Sequence, residues 1–214
     1  MYMKARQFAT LALLLAVPAM ALAAAAPDKA EKVAQKMLGL DKSLQTIATQ
    51  VDKTLISLNA LTQPGGDLPA KYKAYGKNVA DLEKMAQKAK SNAEAAGSQR
   101  DAYIAQWKTS QEKIVNPDLK AASEKRRAEL EPKIEAIKTS LGSARDTFGP
   151  FVQDLKDLNV FLANQLNPAG IEAATPLITK CSTEGEKLKA DISMGSAAVK
   201  DLAASISPTG ATKS

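Results

Sequence analysis

The stretch Val33-Ala34-Gln35-Lys36-Met37-Leu38-Gly39-Leu40-Asp41-Lys42-Ser43-Leu44-Gln45-Thr46-Ile47 decides the fold class. Val33, Met37, Leu40, Leu44 and Ile47 recur at alternating steps of four and three residues, and the rhythm continues through Val51, Thr54, Leu58 and Leu61. Side chains spaced in this way share one narrow face of an α-helix, while the Lys, Gln, Asp and Ser between them cover the rest. The spacing predicts a long amphipathic helix over about 28–61. It stops at Gln63-Pro64-Gly65-Gly66-Asp67, where a proline and paired glycines end any helix and permit a sharp reversal. Asp67 is placed to cap the next helix.

The same rhythm returns three times. It runs from Tyr72, Tyr75, Val79 and Leu82 through the alanines 86, 89, 93 and 96 to Arg100, Tyr103, Trp107 and Ile114, predicting a second helix over about 69–115. Small seam residues in the middle of that helix predict close approach of a neighbour and a bundle narrowest at mid-length. Asn116-Pro117-Asp118 makes a second turn, with Asp118 as the expected cap. A third helix is predicted over about 118–166, with Leu130, Ile134, Ile137, Leu141, Ala144, Phe148, Phe151, Leu155, Leu158 and Leu162 in register. Pro132 and Pro150 lie inside it, so a kink or local break is expected at each. Asn167-Pro168-Ala169-Gly170 forms the third reversal, and a last helix over about 171–206 carries Ile178, Cys181, Leu188, Ile192, Val199 and Leu202. Residues 207–214 read as a flexible tail.

Four helices joined by three short turns fold back on one another. The expected architecture is therefore all-α: an elongated antiparallel four-helix coiled-coil bundle, up-down-up-down, with a kinked third helix. The middle helices predict a rod about 65 to 70 Å long.

The first 23 residues are set aside as a signal peptide: Lys4 and Arg6, an apolar core from Phe8 to Val17, Pro18, and small residues at Ala21 and Ala23. Cleavage is expected near Ala23, leaving a single domain over 24–206. The apolar core is shorter than the roughly 20 residues that span a bilayer, and no cysteine follows it to carry a lipid. A periplasmic protein is the expectation, neither a lipoprotein nor membrane-spanning once mature.

Composition narrows the function classes. The 214 residues hold one cysteine and no histidine. Imidazole-based triads, HExxH zinc sites, iron–sulfur clusters and disulfide frameworks are thereby excluded. Removing Lys4 and Arg6 leaves 27 basic residues against 23 acidic ones, too slight and diffuse an excess for a nucleic-acid binder. No carboxylate pair stands isolated in an apolar run, so no acid–base site, metal site or cofactor is predicted and the chain reads as a non-enzyme.

A few residues stand out. The heptad turns Arg100 and Arg126 toward the interior, where an arginine must meet a carboxylate to fix helix register or contact an anion. Cys181 falls on the last seam as a buried thiol, with an intermolecular bridge as the alternative. Tyr72, Tyr75, Tyr103 and Trp107 read as core packing. Lys125-Arg126-Arg127, flanked by Glu124, Glu129 and Glu131, reads as a solvated face, with weak contact to a membrane surface or peptidoglycan as the alternative.

Gly65-Gly66-Asp67-Leu68 before Lys71-Tyr72, the seam around Arg126, the Pro150–Phe151 step, and Leu158-Asn159-Val160-Phe161-Leu162 leading to Leu166-Asn167, Ala169 and Ile171 form a recognisable order. That order resembles the bacterial secreted helical family catalogued as domain of unknown function 2959, over roughly Leu58 to Ile178. Where that family carries Lys-His-Asn ahead of the Leu-Asn pair, this chain has Ala163-Asn164-Gln165. The resemblance implies an exported coiled-coil-like protein and assigns no activity. The expected role is a periplasmic scaffold, spacer or adaptor that meets other envelope proteins or itself. The alternative is a chaperone-like or membrane-surface module that opens its bundle to apolar clients.

Overall fold

The computed structural model describes residues 25–207, with side chains from Asp28 onward. The segment read as a signal peptide and the tail from Pro208 lie outside the described residues. Secondary structure among the described residues is entirely helical: α1 (Ala25–Ala60), α2 (Leu68–Gln111), α3 (Pro117–Ala128), α4 (Glu131–Asn164) and α5 (Pro168–Ile206).

All nine seam residues of α1, from Val33 to Leu61, are buried, so the heptad reading of that helix holds position by position. Its turn into α2 forms as its glycines require. Gly65 and Gly66 have φ of 76° and 78°, a left-handed conformation that a Cβ disfavours. Lys71 donates to the carbonyls of Gln63 (2.8 Å) and Gly65 (2.6 Å), and the Asp67 carboxylate accepts from the Ala70 amide at 3.3 Å. At α3 the cap is Asn116 rather than Asp118: its side-chain oxygen accepts from the amides of Asp118 (3.0 Å) and Leu119 (3.1 Å). Asp118 sits one step inside, where a carboxylate still favours the positive end of the helix.

The third predicted helix is two helices. Pro132 has no amide and crowds the carbonyl four residues earlier, so α3 closes with a tightened turn, Leu130 donating to Arg127 at 3.1 Å. Pro132 then occupies the first turn of α4, where a missing donor costs least. Pro150, by contrast, lies within a continuous α4. Asn167 starts α5 earlier than expected by accepting from the Gly170 amide at 2.9 Å. A Cβ on Gly170 would lie 1.9 Å from the Gln165 carbonyl oxygen, which accounts for the glycine there.

The helices share one buried core. α1 packs along both α2 and α5, α4 packs along α5, and α2 meets α4 over only a short stretch. Cross-helix pairs give the registers. Lys29, Ser43 and Gln50 on α1 face Gln106, Asn92 and Asn78 on α2. Asp41, Asp52 and Asn59 face Ser196, Lys189 and Ser182 on α5, and Lys133, Ser143 and Asp154 on α4 face Asp201, Asp191 and Lys180. In every series, numbers fall on one helix as they rise on its neighbour.

A candidate binding cleft between α2 and α4

On α2, the heptad position at Ala86 and Ala93 is half-buried. On α4 the same is true of Leu141 and Phe148, also one heptad apart. Between these rows lies a cleft of about 900 Å³, within the range of roughly 300–1,000 Å³ common to small-molecule sites. Leu40, Leu44 and Ile47 of α1 and Leu188 and Ile192 of α5 line it, so its depth is hydrocarbon from the core itself.

The close approach expected at the alanine-rich middle of α2 therefore does not occur toward α4. The physical reason is visible at one end of the cleft. Toward the Gly65–Gly66 turn, the hydroxyls of Tyr72 and Tyr75 donate to the carbonyls of Asn159 (2.9 Å) and Leu155, and Lys156 pairs with Glu83 at 3.0 Å. Far beyond the other end, the Trp107 indole donates to Ser123 at 2.9 Å and ties α2 to α3, and its ring lies 5.8 Å from that of Tyr103. The tyrosines set the spacing of α2 and α4 where they meet, and stiff helices carry that spacing along to the alanines, whose side chains are too short to fill it.

Two carboxylates within the core are satisfied by hydrogen bonds, whereas Asn159 Oδ1 and Glu184 Oε2 are buried without a hydrogen-bond partner. Asp41, 6% exposed, accepts from Ser196 and from Gln45 at 2.8 Å, with Lys200 at 3.6 Å. Asp191, equally buried, accepts from Ser143 at 3.0 Å and Thr147 at 3.5 Å. These buried carboxylates were not legible in the heptad pattern, because both lie off its seam. No group of His, Cys, Asp and Glu among the described residues could hold a metal ion.

The residues singled out from the sequence are scattered over the molecule. Arg100 is buried, but its partner is the adjacent Asp101 of the same helix at 2.8 Å, so the pair cannot set register between helices. Arg126 is exposed, not interior: the break before Pro132 ends the heptad phase that pointed it inward, and it reaches the Ser205 carbonyl at 3.4 Å. Gly65, Gly66, Asp67 and Asn167 form turns and caps. Cys181 is fully buried, and burial, with the nearby Asp154 and Glu184 carboxylates, pushes its thiol up to about 12. A bridge from Cys181 to a second chain would require α5 to part from the core. A smaller opening of about 520 Å³ between α1 and α2 is lined by Leu40 and Ala95 with Glu31, Lys32, Lys36 and Asn92 around them.

The chain matches the family described as "Protein of unknown function (DUF2959)" over residues 24–208. It belongs to that family. The match extends the resemblance seen in the turns and in α4 to nearly the whole length of this DUF2959 member. No curated protein and no solved structure matches it. No helix among the described residues is long and apolar enough to cross a membrane.

Proposed function

We propose that this DUF2959 member is a non-enzymatic, exported binding protein of the cell envelope. Its four long helices would form one up-down-up-down rod, and its α2–α4 cleft would accept an apolar group. The cleft carries this reading: a concavity of about 900 Å³ floored by core leucines and isoleucines is a binding feature, whereas a spacer needs only a convex surface. The falling-and-rising residue pairs along each helix interface support the antiparallel arrangement. Lys4 and Arg6 ahead of a short apolar run support export to the periplasm. Of the two roles read from the sequence, the geometry favours the apolar-client reading, with a preformed cleft in place of an opening bundle.

Gly142 provides the test. It lines the cleft from α4, and a Cβ there meets nothing within 4 Å. Gly142→Leu should fill the void and replace a poor helix former, raising stability by about 0.5–1 kcal/mol or more. The wild-type chain should bind the uncharged dye Nile red saturably, and Gly142→Leu should bind it at least tenfold more weakly while melting at a higher temperature. Equal dye binding by both proteins would overturn the proposal.

A further inference from the structure

Resting on that reading, we propose that the occupant is a long-chain amphiphile with an anionic headgroup, its acyl chain lying lengthwise in the cleft. Three observations select it. First, the cleft is bounded toward the Gly65–Gly66 turn by the Tyr72 and Tyr75 contacts to α4 and by the Lys156–Glu83 pair. A partner helix running past that end would have to break these contacts, whereas a single hydrocarbon chain fits beside them. From Lys138 to Val152 the opening is about 21 Å long, the length of a long acyl chain rather than of a compact ring system.

Second, both walls carry small residues at mid-cleft. Ala86, Ala89 and Ala93 face Gly142 and Ala144, and these side chains offer neither a hydrogen-bonding group nor a deep pocket for one large side chain. Such a lining gains by burying methylene groups in sequence and does not distinguish a peptide.

Third, the mouth is cationic. Lys90 on α2 and Lys138 and Arg145 on α4 stand at the lips. The Tyr75–Leu155 and Glu83–Lys156 pairings bring Lys90 level with Arg145 across the opening. Of the carboxylates at the lips, Glu83 is engaged by Lys156, which leaves Glu94 against three cations. Lys138 and Arg145 contact only their exposed neighbours Glu135 (3.4 Å) and Asp146 (3.0 Å), pairs weak enough to yield to a headgroup. A carboxylate or phosphate at mid-cleft would thus meet cations from both walls while its chain occupies the hydrocarbon floor.

The test compares two probes of equal chain length on the full chain: the fluorescent fatty acid cis-parinaric acid and its uncharged methyl ester. The wild-type protein should bind the acid saturably and at least fivefold more tightly than the ester. Lys90→Glu with Arg145→Glu should abolish that preference while leaving affinity for the ester within twofold. Ala93→Phe, from the wall opposite Gly142, should weaken both probes at least tenfold with helicity unchanged. If both probes and Nile red bind in the cleft but the acid shows no preference, the anionic headgroup is wrong and the apolar cleft stands. If an amphipathic helical peptide binds with an affinity that Ala93→Phe lowers and the acid cannot displace it, the occupant is a peptide and this proposal fails. If Ala93→Phe and Gly142→Leu leave all binding unchanged, the cleft reading falls with it.

Discussion

Cys181 shows how position alone sets the chemistry of a residue. In the last heptad seam it has no exposure, and burial raises its thiol from an ordinary 9.0 to about 12. A raised folded-state value means that the native protein holds the proton more tightly than the unfolded chain does. The resulting stability is complete below about pH 9 and is lost as pH climbs toward 12. The urea midpoint of the wild type should therefore fall more between pH 7 and pH 10 than that of Cys181→Ala, so the gap between the two narrows. Tyr75, whose hydroxyl is also raised by burial, titrates in both proteins and cancels in the comparison. A parallel decline of the two midpoints would show that Cys181 is open to solvent. Arg100 teaches the opposite lesson: an interior arginine here is satisfied by its chain neighbour, so a seam position does not imply a partner across helices.

At the scale of the element, the five helices differ in how fully their seams are used. Leu58 has no exposure and lies on the completely buried face of α1. Leu141 occupies the equivalent heptad face of α4, yet is half-buried because that face opens on the cleft. Leu58→Asp should cost roughly 4 kcal/mol or more, since an unpaired carboxylate enters a dry interior. Leu141→Asp should cost about 1–2 kcal/mol, because water in the cleft can reach the new charge. Thermal melts of the two variants check this: equal losses would mean that the cleft is closed in solution. α3 sits at the other extreme. No residue within it is buried, and its contacts are polar ones from Ser123, Arg126 and Arg127.

For the whole molecule, length and self-sufficiency are the measurable properties. α2, with 44 residues, is about 66 Å long. With its core closed within one chain and its one thiol buried, the protein should scatter as a monomer of about that maximum dimension, identically with and without reductant. A reductant-sensitive, larger particle would contradict the burial of Cys181.

Much of this architecture is legible along the chain. The steps of four and three place every seam residue of α1 in the core, and the paired glycines after Pro64 mark a left-handed turn. These are local properties: period and turn chemistry act over a few residues, so they can be read without knowing what packs where. Even Pro132 announces an interruption, although the heptad phase at Arg126 does not survive it. Tertiary structure decided the rest. A heptad says which face of a helix is apolar but not how far away its neighbour stands. That distance is set by the bulkiest contacts along the whole interface. Tyr72 and Tyr75 set the spacing of α2 from α4, and the alanines beyond them therefore border a cleft instead of a tight seam. The cleft, the buried Asp41 and Asp191 and the cations at its mouth come from residues far apart in sequence, brought together only by stiff helices packing side by side.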